Sequence, residues 1–153
     1  MAAAVGGNFS QWLAFLLLAF GAWDISYYIF LKILIDWPKS LLTWDVLFLI
    51  PVPWSGPVLA PALVALTMIG TGFTYLWRES IGHSTRLRAV HWLCACAGAL
   101  FILAAFTWDY RDVMAGGMPK PYHWPLFALG EAIWVTGFLH WLSTDWHRPS
   151  NFN

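Results

Sequence analysis

Four long apolar stretches, separated by short polar or turn-rich breaks, dominate the chain and predict helices that cross a bilayer. The first runs from Trp12 to Ile35 with Asp24 and Lys32 as its only charges, and Asp36-Trp37-Pro38 stops it. The second, Val58 to Trp77, opens near Pro57 and Pro61 and ends at Arg78-Glu79. Proline suits a first helical turn because the N–H groups there lack partners in any case. The third spans Ala89 to Trp108. The fourth, Trp124 to Leu142, follows the turn-rich Ala115-Gly116-Gly117-Met118-Pro119 segment and stops before Asp145. Ser40 to Ile50 is also apolar, but it has roughly half of the about 20 residues a crossing needs, and Pro51-Val52-Pro53 follows it. That segment predicts a short interfacial or re-entrant helix, with Trp44, Asp45 and Trp54 at its border. The expected fold is an all-α integral membrane protein, a four-transmembrane-helix bundle forming a single membrane domain over residues 1–153, with no internal repeat.

Composition strengthens this reading. Of 153 residues, 59% are hydrophobic and 10% charged, and the mean hydropathy is +0.61; a globular domain carries about 25% charged residues. The net charge is zero and there is no Lys/Arg run, so neither nucleic acid nor an anionic membrane surface is an implied partner. The chain is tryptophan-rich, and Trp12, Trp37, Trp44, Trp77, Trp108 and Trp124 fall where an interfacial belt is expected. Met1 to Ser10 lacks the basic stretch of a secretory signal, and the apolar run behind it is too long for a cleaved core, so it reads as a retained span.

Small and hydroxylated residues mark the second span at Thr67, Gly70, Thr71, Gly72 and Thr74, and the third at Cys94, Ala95, Gly98 and Ala99. Such positions let membrane helices approach closely. Cys94 and Cys96 are about 200° apart around a helix, so they cannot bond to each other within it and read as small residues at a helix contact. The cations divide evenly between the two sides. Arg78, Arg86, Arg88 and Arg148 share one side with both termini; Lys39, Arg111 and Lys120, with Lys32 nearby, lie on the other, which also carries Asp36, Asp45, Asp109 and Asp112. The dense Arg78, Arg86, Arg88 cluster places both termini in the cytoplasm.

Two sets of residues could carry chemistry. Asp24 lies near mid-membrane, where a carboxylate costs about 2.5 to 3.5 kcal/mol and therefore faces a partner or a wet cavity. Tyr28 and Lys32 follow at four-residue steps, forming a stripe towards the acidic side that could pass protons or hold a headgroup. Glu131 has a comparable depth in the fourth span and could share a proton with Asp24 if the two helices touch. The alternative for both carboxyls is a packing role through hydrogen bonds to hydroxyl or indole groups. The second set is His91 and His140, which antiparallel third and fourth spans place at one depth beneath the same border, where they could bracket a b-haem iron or simply reach the headgroup region. His83 and His147 share that side and could supplement a metal site; His123 belongs to the opposite border.

There is no phosphate-cradling glycine loop, Gly-x-Ser-x-Gly elbow, His-Glu-x-x-His helix or Cys-x-x-Cys pair, which argues against hydrolase and nucleotide chemistry, and no catalytic residue is assigned. Short loops and small-residue stripes point first to a structural or accessory subunit of a larger membrane complex, one handling electrons or protons, with other membrane-protein subunits and the lipid bilayer as partners. A b-haem electron-transfer protein using His91 and His140 is the second reading. A lipid or quinone binder or carrier with a pocket near Asp24, Tyr28 and Glu131 is the third.

Overall fold

The fold is given by a computed structural model that describes residues 9–83, 85–117 and 121–145. His147, Arg148, Lys120, Met118-Pro119 and the segment before Phe9 lie outside the described residues. Helix α1 (Phe9–Ile35) leads to a β-hairpin of β1 (Trp44–Phe48) and β2 (Trp54–Pro57). Helices α2 (Leu59–Ser80), α3 (Ala89–Thr107), the short α4 (Tyr110–Met114) and α5 (Trp124–Asp145) follow. The four long helices are each long and apolar enough to cross a membrane, as a multi-pass membrane protein requires. Their outward faces carry exposed apolar side chains such as Ile33, Leu34, Leu66, Leu93 and Leu100. Up-and-down order puts the start of α1, the α2–α3 connection and the end of α5 at one end of the bundle, and the hairpin and α4 at the other.

The hairpin corrects the sequence reading: Ser40 to Ile50 is no helix, and the fold is not purely α. Strand β1 pairs antiparallel with β2 in the register Trp44 with Pro57, Asp45 with Gly56 and Val46 with Ser55, with an irregularity before Phe48 meets Trp54. Exposure alternates along β1, with Val46 and Phe48 outward and Asp45 and Leu47 half-buried, the period of a strand. Pro51 and Pro53 fall in the connecting turn, where no ladder N–H is needed. The hairpin is pinned to the start of α2 by backbone bonds from Val58 to Thr43 (3.0 Å) and from Leu59 to Leu41 (2.8 Å). It rests on a cluster of Ala60, Ile102, Ala105, Phe106, Tyr122 and Phe127, against which Trp44, Leu47 and Trp54 pack. Burial pushes the Tyr122 phenol well above its ordinary pKa.

The helices associate as two pairs, α1 with α2 and α3 with α5, which meet each other directly chiefly between α2 and α5. Within each pair the backbones touch at glycines. A Cβ on Gly21 would come within 2.6 Å of the Ala65 carbonyl oxygen, and one on Gly72 within 2.6 Å of the Ala14 carbonyl oxygen. Gly98 and Gly130 face each other in the same way across α3 and α5, each 2.8 Å from the other's carbonyl oxygen by that measure, and Gly137 lies against Cys94. The small-residue positions that suggested outward docking are thus largely occupied inside the chain; Gly70 is the exception, with nothing within 4 Å of where its Cβ would be.

Candidate functional site

The space left between the two helix pairs, under the hairpin, is a cavity of about 410 Å³ with walls from α1, both strands, α2, α3 and α5. Its lining is mostly aromatic and aliphatic, with Phe20, Trp23, Tyr27, Trp54, Phe106 and Trp134 among the walls. Into it come three carboxyl side chains from three separate segments: Asp24 from α1, Asp45 from β1 and Glu131 from α5. Ligand sites of small molecules occupy about 300 to 1,000 Å³ and combine apolar walls with a few placed polar groups, which is the character of this cavity.

Each carboxyl is held differently. Asp45 accepts a hydrogen bond from the Tyr28 hydroxyl at 2.9 Å, which ties the hairpin to α1. Glu131 accepts one from the Thr67 hydroxyl at 2.8 Å through Oε2, whereas its buried Oε1 has no partner among the described residues. Asp24 makes no hydrogen bond among the described residues. One turn further along α2 and α5, the Trp134 indole donates to the Thr71 hydroxyl (3.3 Å), which donates to the Thr67 carbonyl (2.8 Å), so the wall carrying Glu131 is braced from α2. Asp24 and Glu131 therefore share a cavity but not the direct proton-sharing bond considered from sequence. Asp45, Thr67, Trp54 and Trp134 belong to the site without having been singled out for it.

Lys32 does not join this set. It lines an outer groove between α1 and the start of the hairpin, where its ammonium binds Asp36 at 2.6 Å and the Pro38 carbonyl at 3.2 Å. Lys39 closes on the other Asp36 oxygen at 2.5 Å. The bonds from Lys32 and Lys39 hold the Asp36 carboxyl below the usual carboxylate range. Asp36 itself has φ of 52°, a left-handed conformation that aspartate tolerates better than most residues, and so ends α1.

His91 and His140 do meet at the other end of the bundle, away from the cavity. His91 Nδ1 accepts from the Arg88 backbone N–H at 3.1 Å and so caps α3. In the neutral ring the proton is then on Nε2, which donates to His140 Nδ1 at 3.2 Å. Metal–imidazole bonds of about 2.0 Å would hold two axial nitrogens about 4 Å apart with the ion between them. The bonded pair leaves no such gap, so these residues as placed do not fit an axial haem pair. Nor do the described residues contain any group of three or more His, Cys, Asp or Glu able to hold a metal ion. Cys94 and Cys96 are both free thiols. His123, at the hairpin end, packs on Trp108 with ring centres 4.9 Å apart.

The Tyr28–Asp45 bond yields a direct expectation. Tyr28→Phe removes a hydroxyl bonded to a carboxylate at a buried position, and such bonds contribute about 1.5 to 3 kcal/mol. Tyr28→Phe should lose that much unfolding free energy in detergent, and Tyr28→Phe on an Asp45→Asn background should lose less; equal losses on both backgrounds would mean that the bond does not hold the hairpin.

No family model matches the sequence, and no curated protein or solved structure is significantly similar to it. Fold and site together define a chain of four long helices and a β-hairpin, apolar outside, with an acidic, aromatic-walled cavity between its helix pairs.

Proposed function

We propose that the protein is a multi-pass membrane protein that binds, and in that sense carries, a membrane-dissolved amphiphile of the lipid or quinone kind in the cavity between its helix pairs. The observation behind this reading is that Asp24, Asp45 and Glu131, far apart in sequence, line one cavity of about 410 Å³. A carboxyl near mid-membrane is costly and is kept where it faces a partner or a cavity. Here Asp24 and Glu131 keep unused accepting capacity, while the aromatic walls supply contact for an apolar body. The accessory-subunit reading has less behind it, since the glycines that would receive a neighbour's helix mostly receive this chain's own. Both termini are assigned to the cytoplasmic face on the strength of the α2–α3 connection, where Arg86 and Arg88 are exposed. Arg78 contributes less to that argument than its position suggested, being 1% exposed beneath Trp141.

Tryptophans in the wall make the reading testable. A brominated long-chain alcohol titrated into the protein in phosphatidylcholine nanodiscs should quench Trp23, Trp54 and Trp134 fluorescence with a saturable component. Ala99→Phe, which places a ring into the cavity from α3, should abolish that component while leaving the linear quenching of lipid-facing tryptophans. Quenching that stays linear in the wild-type protein would refute the proposal.

A further inference from the structure

The cavity's charge is one-sided. Among the described residues that line it there are three carboxyl groups and no lysine, arginine or histidine. The nearest cations on α1 and its end, Lys32 and Lys39, are engaged with Asp36 in a separate groove. From α2 and α3 the cavity receives no charged side chain; α2 gives Thr67, and α3 gives Ala99, Ile102, Leu103 and Phe106. Among the described residues, Asp45 accepts from the Tyr28 hydroxyl and the Val46 backbone N–H, Glu131 from the Thr67 hydroxyl, and the Asp24 carboxyl from none.

Excess acceptors in a low-dielectric space select a ligand that brings donors and positive charge, because a buried carboxylate without a partner is costly. The rest of the wall has the same preference. Trp23, Tyr27, Trp54, Phe106 and Trp134 present aromatic rings to the cavity, and aromatic faces attract cations. An inorganic cation is a poor match, since the described carboxyls form no cluster close enough to coordinate a metal ion. A ligand with an anionic head would bring further acceptors to a wall that already has them in excess.

We infer that the ligand is a hydrophobic amine, its ammonium drawn to the carboxyl groups that keep accepting capacity, Asp24 and Glu131, and its apolar body lying along the aromatic wall. The inference rests on the cavity-binding reading and narrows its ligand class. It predicts a ranking that a neutral amphiphile site would not give.

The test compares dodecylamine with dodecanol, each competing against the brominated alcohol in zwitterionic phosphatidylcholine nanodiscs, with affinities expressed per mole fraction in the bilayer. The amine should bind at least about tenfold more tightly than the alcohol, the ratio that one well-placed ion pair of modest strength gives. Asp24→Asn and Glu131→Gln, which preserve side-chain shape, should each reduce that ratio severalfold. Equal affinity of amine and alcohol for the wild-type protein would overturn the amine assignment and leave the cavity reading standing. Failure of both to displace the probe would overturn the two together.

Discussion

Gly130→Leu should be among the most destabilising substitutions in the protein, and Gly70→Leu, in a neighbouring helix, among the least. A Cβ at Gly130 would lie 2.8 Å from the Gly98 carbonyl oxygen, 2.8 Å from Ile102 Cγ1 and 2.9 Å from the Ile102 backbone nitrogen. Two of these three are backbone atoms, so no rotamer change makes room and α3 must move away from α5. Overpacking a tight core costs about 1 to 3 kcal/mol and occasionally more; a contact that can be relieved only by parting two helices belongs at or above the upper end. Between apolar helices in lipid, close packing is itself a main source of association, so little compensates for its loss. Gly70 has nothing within 4 Å, and its replacement should change stability by less than about 1 kcal/mol, in the favourable direction for a helix interior. Unfolding in mixed detergent micelles would measure both. A Gly130→Leu protein as stable as the Gly70→Leu protein would show that the α3–α5 contact is not held by backbone proximity. Loss of that contact should also weaken probe binding, because Glu131 takes its place opposite Thr67 from the same stretch of α5.

The contrast between these glycines shows where sequence reasoning stops. Both stand out as small residues in apolar runs, and nothing local distinguishes one that meets a backbone from one that faces lipid. The four spans were legible because crossing a bilayer demands about 20 apolar residues, a requirement strong enough to fix their limits to within about three residues. The hairpin was not. Ser40 to Ile50 is a short apolar run, and periodicity alone does not separate a strand from a helix at that length; only the aromatic and β-branched Trp44, Val46 and Phe48 ahead of two prolines favour the strand. Asp24 announced itself by its depth, but Asp45 lies at a border where aspartate is ordinary, so only the tertiary path of the hairpin reveals that it faces inward. Lys32 leaves the stripe through helix geometry: eight residues carry it about 80° around from Asp24, enough to pass from the cavity face to the outer groove. His91 and His140 were brought together by matching depths along antiparallel helices, a geometric argument that locates the pair yet says nothing of whether the nitrogens bond to each other or to an ion.

Trp141→Ala should cost about 3 to 5 kcal/mol, the range for removing a large aromatic ring from a packed interior. Trp141 is 2% exposed at the end of the bundle opposite the hairpin. Its ring stacks on Tyr75 with centroids 5.9 Å apart, packs against Phe138 at 5.8 Å, and has the Arg78 guanidinium 5.1 Å above its centre. Tyr75 and Arg78 belong to α2 and Trp141 to α5, so this stack joins the two helix pairs at one end as the hairpin joins them at the other. The ring face, not the indole N–H, carries the contact: Nε1 is buried without a hydrogen-bond partner among the described residues. Trp141→Phe keeps an aromatic face against Arg78 and discards only that N–H and part of the ring, so it should lose clearly less than Trp141→Ala. Arg78→Met should likewise cost more in the wild-type background than beside Trp141→Ala, with a coupling of about 1 to 2 kcal/mol if the desolvated cation–π contact is the link. Equal losses for Trp141→Ala and Trp141→Phe would assign the effect to the indole N–H and remove the stack as the connection between pairs. Because the stack lies outside the cavity wall, Trp141→Phe should leave amine-over-alcohol selectivity intact, whereas Ala99→Phe should remove binding with the stack unaltered. The two variants together separate what holds the helix pairs side by side from what fills the space between them.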